Sequence, residues 1–323
     1  MDRKKPCKVG ENKSDIVADV PLACADETAA VEFMERRRWG DTPCCPMCGD
    51  VEVYKMMDKK TGQRNKDYRW RCRGVKCGKV FSVRVGTVLA DSRIPMRYWC
   101  RAFWRACSSK KGISAMQLQR ETGLSYKSAL FLLHRVRFAM ADMDGVKLTG
   151  TVECDETYVG GKPRFPGVSK RGRGTNKQPV FAMVERNGKV RTKVVADVTA
   201  ATLKGAIREN VDCTARIITD DNRAYIGIGN EFEGGHETVT HSAKEYVRKG
   251  TDIHSNTIEG FFSLLKRGVY GTFHNVSKKH LHRYCEEFAF RYNNRSIDDG
   301  ARTEAAIKGA IGKRLMYREP LTA

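Results

Sequence analysis

The chain has 323 residues, enough for two or three domains that each bury a core. Its hydrophobic share of 41% and charged share of 30% suit a folded globular protein, but a formal charge of +21 points beyond that to a polyanionic partner. The excess is spread along the chain: residues 1–150 carry 30 Lys/Arg against 17 Asp/Glu, and residues 151–323 carry 29 against 21. Nucleic acid is the expected partner, because Lys and Arg displace condensed counterions from phosphates. No apolar run approaches the roughly 20 residues that span a bilayer. The opening MDRKKPCKVG lacks the apolar stretch of a secretion signal. Twelve cysteines without such a signal read as reduced thiols, with metal binding ahead of disulfides. The expected location is the cytoplasm, associated with the nucleoid.

In chain order, residues 1–26 are expected to be a flexible leader. Residues 27–90 hold a helix (Glu27–Arg38) and then a cysteine-rich ribbon with strands at Val51–Tyr54, Tyr68–Arg71 and Val80–Val83. Residues 91–146 form a helical region punctuated by Gly112 and Gly123. From Thr151 short β-rich runs take over: Thr151–Val159, Pro179–Arg186 and Lys189–Asp197. A helix at Ala201–Asn210 follows, then a strand at Ala215–Thr219 and helices near Ser255–Arg267 and Lys278–Asn293. These fill a domain over residues 147–300, and residues 301–323 are read as a tail. The run Lys162–Lys177 holds six basic residues and no acidic one, a loop whose Lys170, Arg171 and Arg173 suit a DNA-tracking arm or a solvated insertion.

Cys45-Pro46-Met47-Cys48-Gly49 and Cys72 to Cys77-Gly78 place two cysteine pairs at two turns, a set of four thiolates suited to structural Zn²⁺. Cys44 competes with Cys45 for this role. Cys100, Cys107, Cys154, Cys213 and Cys285 read as small core residues. Across Gly112–Met140, Ser114 suits the cap of one helix, Gly123 a turn, and Ser125 the cap of a second. This is a helix-turn-helix pattern whose Tyr126, Lys127 and Arg135 are candidate DNA contacts. A pair of helices in any small bundle would look similar.

Three acidic residues stand out. Asp155 lies in the strand Thr151–Val159, with Glu153 and Thr157 on its face and Glu156 on the other. Asp220 ends a short strand. Glu259 shares a polar stripe with Asn256, Ser263 and Lys266, opposite the apolar stripe Ile258, Phe261, Phe262 and Leu265. Three carboxylates from two strands and a helix suit hard divalent cations such as Mg²⁺ or Mn²⁺ in two-metal phosphodiester chemistry. Any chain with 38 acidic residues offers such triples by chance, so their ordered context decides.

That context is a resemblance. The runs DETYVGGK from Asp155, Thr219-Asp220 with Tyr225 beyond, HSNTIEGFF from His254 and EFAFRYNNR from Glu287 to Arg295 carry it. Together with the CPMCG knuckle, they resemble bacterial insertion-sequence transposases with an N-terminal zinc ribbon, distant relatives of the eukaryotic Merlin transposases. The resemblance implies an α+β multidomain chain: a zinc β-ribbon, a helix-turn-helix module and an RNase H-like mixed α/β catalytic domain. It implies a DDE-type transposase that cleaves and joins DNA at terminal inverted repeats, as a dimer or larger assembly. Asp155 and Asp220 take the first two catalytic places. Glu259 is favoured over Asn256 for the third by its charge and its spacing to Lys266, with His254 and His241 as secondary candidates. An RNase H-like nuclease without strand transfer, or a DNA-binding regulator derived from a transposase, are the alternatives.

Overall fold

The computed structural model describes residues 16–142, 145–160, 177–239, 248 and 250–316. The chain divides into two compact units, one of residues 1–109, 118–139 and 296–323, the other of residues 110–117 and 140–295.

The first unit opens with α1 (Ile16–Ala25), where a leader was expected. Ile16, Val20 and Ala23 recur at helical spacing and are buried; the internal Pro21 masks that pattern in the sequence. In α2 (Glu27–Trp39) the Asp26 carboxylate caps the Ala29 N–H at 2.7 Å, and Gly40 closes the helix with φ 60°. The ribbon is a three-stranded antiparallel sheet of β1 (Val53–Lys55), β2 (Trp70–Cys72) and β3 (Val80–Phe81) in the order β1-β2-β3. Glu35 of α2 ties it down: its buried carboxylate accepts from Arg64 Nη1 at 2.9 Å and Trp70 Nε1 at 2.7 Å. In α3 (Met96–Ser108), Trp99, Phe103 and Cys107 are wholly buried, while Arg101 and Arg105 face Glu121.

Two further helices, α4 (Ala115–Thr122) and α5 (Tyr126–Met140), are separated by Gly123 at φ 71°. Ser114 Oγ accepts from Gln117 N at 3.1 Å and Ser125 Oγ from Ser128 N at 3.3 Å, so both caps stand where the residue types put them. The second unit follows, with its sheet of β4 (Thr151–Val159), β5 (Gln178–Glu185), β6 (Val190–Val194), β7 (Arg216–Asp220) and β8 (His236–Val239) in the order β6-β5-β4-β7-β8. The pairs β4–β5 and β5–β6 are antiparallel; β7 runs parallel to both β4 and β8.

Each face of this sheet buries its own cluster. Val152 and Cys154 of β4, with Phe181 and Met183 of β5, pack with Leu203, Ala206 and Ile207 of α6 (Ala200–Asn210). On the other face Val180, Ala182 and Val184 meet Ile258, Phe261, Phe262 and Leu265 of α7 (Asn256–Gly268) and Leu281, Cys285 and Phe288 of α8 (Leu281–Asn293). Each fully buried side chain of this size contributes roughly 1.5–3 kcal/mol, so the two clusters fix both helix layers on the strands.

Of the stretch 301–323, read as a tail, the described residues 301–316 instead continue a folded element of the first unit. Helix α9 (Asp299–Lys308) is capped by Asp298, whose carboxylate accepts from Ala301 N at 2.8 Å, and it buries Thr303, Ala306 and Ile307. Of the cysteines assigned to cores, Cys100, Cys107, Cys154 and Cys285 are buried, whereas Cys213 is exposed in a turn beside Asp212. No helix among the described residues is long and apolar enough to cross a membrane.

Candidate active site and metal centre

Parallel pairing brings the first two carboxylates together. Glu153 of β4 pairs with Ile218 of β7, so two residues further along both strands Asp155, in the middle of β4, stands level with Asp220, at the carboxyl end of β7, on neighbouring strands roughly 4.8 Å apart. The pairing of β4 with β7 is last recorded at Glu153, so Asp155 and Asp220 sit where this ladder opens. Carboxyl ends of parallel strands are where such sheets hold ligands.

Helix α7 brings the third. Its apolar stripe docks on the sheet, and Asn256, Glu259 and Ser263 are left exposed, with Lys266 half-buried on the same stripe. The carboxylates sense one another: the Asp155 carboxyl is pushed up to about 8, first by burial, then by the negative charges of Asp220 and Glu156, with a smaller push from Glu259. One hydrogen bond from Glu156 N, at 2.7 Å, opposes the shift. A site that resists its own ionisation in this way favours cations, and its oxygen donors suit Mg²⁺ or Mn²⁺.

Two neighbours on β4 perform work that sequence reasoning missed. Glu153 is wholly buried, and its carboxylate accepts from Thr257 N at 2.9 Å and Ile258 N at 3.0 Å in the first turn of α7. It also accepts from Arg186 Nε at 2.7 Å, and His254 Nδ1 lies 3.3 Å away. On the opposite face Glu156 accepts from Tyr225 Oη at 2.6 Å and Asn222 Nδ2 at 2.8 Å. It thereby anchors the segment that follows Asp220. The available signal was strand alternation: an acidic residue facing a buried helix must have found donors. His254 therefore lies beside the Glu153 brace. His241, like Lys170, Arg171 and Arg173, lies outside the described residues.

The thiols of Cys45, Cys48, Cys72 and Cys77 lie within 4.8 Å of one another, the one such His/Cys/Asp/Glu group among the described residues. The carboxylates of β4, β7 and α7 are not drawn together that tightly. Cys45 and Cys77 sulfurs are 3.8 Å apart and those of Cys48 and Cys72 3.7 Å. A tetrahedron with Zn–S of about 2.3 Å has edges of about 3.8 Å, so the thiols fit structural zinc. Cys45 takes the place for which Cys44 competed. Gly74 leaves room in the second knuckle: a Cβ there would lie 2.5 Å from Asp50 Oδ2 and 3.3 Å from Cys72 Sγ, so the Asp50 side chain would have to move.

The expected DNA contacts separate. Tyr126 and Lys127 are exposed in the first turn of α5. Arg135 is 8% exposed: its Nη1 donates to Ala90 O at 2.9 Å, its Nε to Leu315 O at 3.1 Å, and it stacks on Phe131. The second half of α5 faces protein, so Arg135 braces the first unit where a surface contact was expected. A basic cleft of about 680 Å³ that the sequence did not reveal lies in the same unit, lined by Lys66, Arg69, Arg84, Arg93 and Arg97 with Glu27 and Asp67. Its acids are engaged: Asp67 pairs with Arg69 at 3.0 Å, and Glu27 accepts from the Met96 and Arg97 N–H groups.

Comparison with known proteins matches this layout. A family model of the ISXO2-like transposase domain covers residues 147–293, and one of the transposase zinc-ribbon domain covers residues 25–80. A Haemophilus influenzae protein named as an uncharacterized transposase-like protein is 33% identical over 109 residues, 34% of this chain and 85% of its own length. The chain therefore belongs to the ISXO2-like transposases that carry an N-terminal transposase zinc ribbon.

Proposed function

We propose that the protein is a DDE-type DNA transposase that cleaves DNA at the terminal inverted repeats of an insertion sequence and joins the freed ends to target DNA. The observation that supports this reading is the grouping of Asp155, Asp220 and Glu259 from two parallel strands and a docked helix, where burial first and the charges of Asp220, Glu156 and Glu259 after it push the Asp155 carboxyl up to about 8. The antiparallel meander β6-β5-β4 extended by parallel β7 and β8 supports an RNase H-like fold for this unit.

Asp155, Asp220 and Glu259 would hold two divalent ions, Mg²⁺ or Mn²⁺, which supply Lewis-acid charge neutralisation for in-line phosphodiester displacement. Glu259 is preferred to Asn256 as the third ligand because its charge contributes to the field at Asp155. Lys266, two turns along the same stripe, would take a backbone phosphate and fix the scissile strand against the carboxylates. Water and then a DNA 3′-OH would occupy the same nucleophile position in successive steps.

The zinc ribbon and the α4–α5 pair, read as a helix-turn-helix, would bind the repeats. Tyr126 and Lys127 at the start of α5 suit base-edge contact, and the cleft around Lys66, Arg93 and Arg97 suits the phosphate backbone. Synapsis of two ends requires two or more copies of the chain.

The test is a cleavage and strand-transfer assay on DNA carrying the flanking repeats, with zinc-loaded protein and Mg²⁺ or Mn²⁺. Metal-dependent nicking at the repeat tip and joined products, both lost in Asp155→Asn and Glu259→Gln, would establish the reading. Loss in Asn256→Ala but not in Glu259→Gln would move the third ligand. Cleavage with no joining in any metal would leave a nuclease.

A further inference from the structure

Strand β4 and helix α7 carry acidic residues of the same site but are separated by about a hundred residues of chain. Besides the apolar cluster that docks α7 on the sheet, a single side chain ties the two directly. Glu153 Oε2 accepts from the backbone N–H of Thr257 at 2.9 Å and of Ile258 at 3.0 Å, and Oε1 accepts from the Thr257 hydroxyl at 2.8 Å. These N–H groups belong to the first turn of α7, which has no partners for them within the helix. Ser255, the residue at the cap position, makes no side-chain cap bond, so Glu153 caps α7 from the sheet.

The placement of this cap matters more than its existence. Glu153 lies two residues before Asp155 on the same face of β4, and the amides it holds, Thr257 and Ile258, directly precede Glu259 and follow Asn256. From Asp155 to Glu259 the path is thus short: two residues of β4 backbone, the Glu153 hydrogen bonds, and the first turn of α7. Arg186, from the end of β5, completes it. Its Nε donates to Glu153 at 2.7 Å, its Nη2 to His254 O at 2.9 Å, and its Nη1 lies 3.3 Å from Asp252. One guanidinium therefore compensates the buried carboxylate and pins the segment leading into α7.

We propose that Glu153, supported by Arg186, is a positioning residue that sets the separation between Asp155 and Glu259, acting through helix α7 without touching DNA or the divalent ions. The proposal rests on the reading of Asp155, Asp220 and Glu259 as the metal-binding site. Supporting groups around metal ligands alter affinity by about 10–100-fold when removed, and misplacement of a reacting group by about 1 Å costs about 100-fold in turnover.

The test measures Mn²⁺ affinity, from the electron paramagnetic resonance of free Mn²⁺, together with kcat and KM for cleavage of repeat-end DNA. Four zinc-loaded full-length proteins are compared: wild type, Asp155→Asn, Glu153→Gln and the double variant Glu153→Gln/Arg186→Gln. The double variant also removes the part-buried guanidinium that the single change deprives of its Glu153 partner and leaves with Asp252, so the two charges of the pair go together even where the single variant folds poorly. The expected result is Mn²⁺ affinity lowered about 10–100-fold and kcat about 100-fold in Glu153→Gln, with KM for DNA and zinc content unchanged. The double variant should recover thermal stability but neither Mn²⁺ affinity nor kcat. Recovery of kcat together with stability would make Glu153 a purely structural residue and overturn the proposal. Wild-type Mn²⁺ affinity and kcat in Glu153→Gln, alongside their loss in Asp155→Asn, would overturn it while leaving the site intact. Wild-type behaviour of Asp155→Asn would remove the site itself, and the proposal with it.

Discussion

Glu153 and Asp155 project from the same face of β4, two residues apart, into opposite electrostatic surroundings. The first is wholly buried yet matched by Arg186 and by the N–H groups of α7. The second is partly buried against Asp220, Glu156 and Glu259, and its carboxyl is raised to about 8. An unfolded Asp titrates near 3.9, so between about pH 4 and pH 8 the folded, Mg²⁺-free protein holds a proton that the unfolded chain has released. The contribution of Asp155 to stability is accordingly most favourable below that window and declines as pH rises through it. Urea denaturation in Mg²⁺-free buffer with zinc retained should show stability falling from pH 5 to pH 8 more steeply in the wild type than in Asp155→Asn. At pH 8 the Asn variant should be the more stable protein. Equal pH slopes for the two would refute the electrostatic crowding of this site.

Zinc content separates the two adjacent cysteines of the first knuckle. Cys45 belongs to the thiol cluster and Cys44 does not, so Cys44→Ser should keep one zinc per chain and Cys45→Ser should lose it. Loss of the ion should also release the ribbon core, where Trp39 and Trp70 meet edge to face at 5.8 Å. The expected readout is a collapse of the near-ultraviolet aromatic signal in Cys45→Ser and in chelator-treated wild type, with Cys44→Ser unaffected. A structural zinc site of this kind stabilises its fold by on the order of 10 kcal/mol, so no partial response is expected.

Elements whose side chains answer to local rules were readable in the sequence. Strand β4 was expected at Thr151–Val159 and is found there: Thr151, Val152, Thr157, Tyr158 and Val159 favour an extended run, and no Gly or Pro interrupts it. The docking stripe of α7 and the serine caps of α4 and α5 were equally legible. Elements that owe their existence to distant partners were not. Helix α1 contains Pro21 and is held by packing within its unit, as is α9 through buried Thr303, Ala306 and Ile307. Arg135 reads as a surface cation in any window around it, and only the distant carbonyls of Ala90 and Leu315 reveal that its charge is used internally. The same limit hid the role of Glu153: strand alternation gives the face on which it lies, but not the helix N–H groups about a hundred residues later that it caps.

The pair Glu35–Arg64 tests how the zinc ribbon is held to α2. Both side chains are nearly inaccessible, at 7% and 9% exposure, and Trp70 Nε1 donates to the same carboxylate. Glu35→Ala would leave a buried guanidinium without its counter-charge and an indole N–H without an acceptor. Loss of one partner of a buried pair costs about 3–5 kcal/mol, whereas Glu35→Gln, which keeps an acceptor for Trp70, should cost less. Denaturant unfolding followed by tryptophan emission distinguishes them, and indifference to both changes would show that the pair carries no net stabilisation.

DNA binding should divide the basic residues by place and not by type. Alanine at Lys66, Arg93 or Arg97, which line the cleft of the first unit, should weaken binding of every duplex alike. Each lost phosphate contact should reduce the slope of log K against log salt by about 0.9. Lys127→Ala and Tyr126→Ala, at the exposed start of α5, should instead narrow the difference in affinity between repeat ends and random DNA. Arg135→Ala should lower thermal stability through the lost bonds to Ala90 and Leu315, and leave the salt slope unchanged at temperatures where the protein is folded. Fluorescence anisotropy on the two DNA classes across a salt series reads all three behaviours at once. A salt slope that falls in Arg135→Ala but not in the cleft variants would reverse the assignment, placing the phosphate contacts on α5 and leaving the cleft without a role in binding.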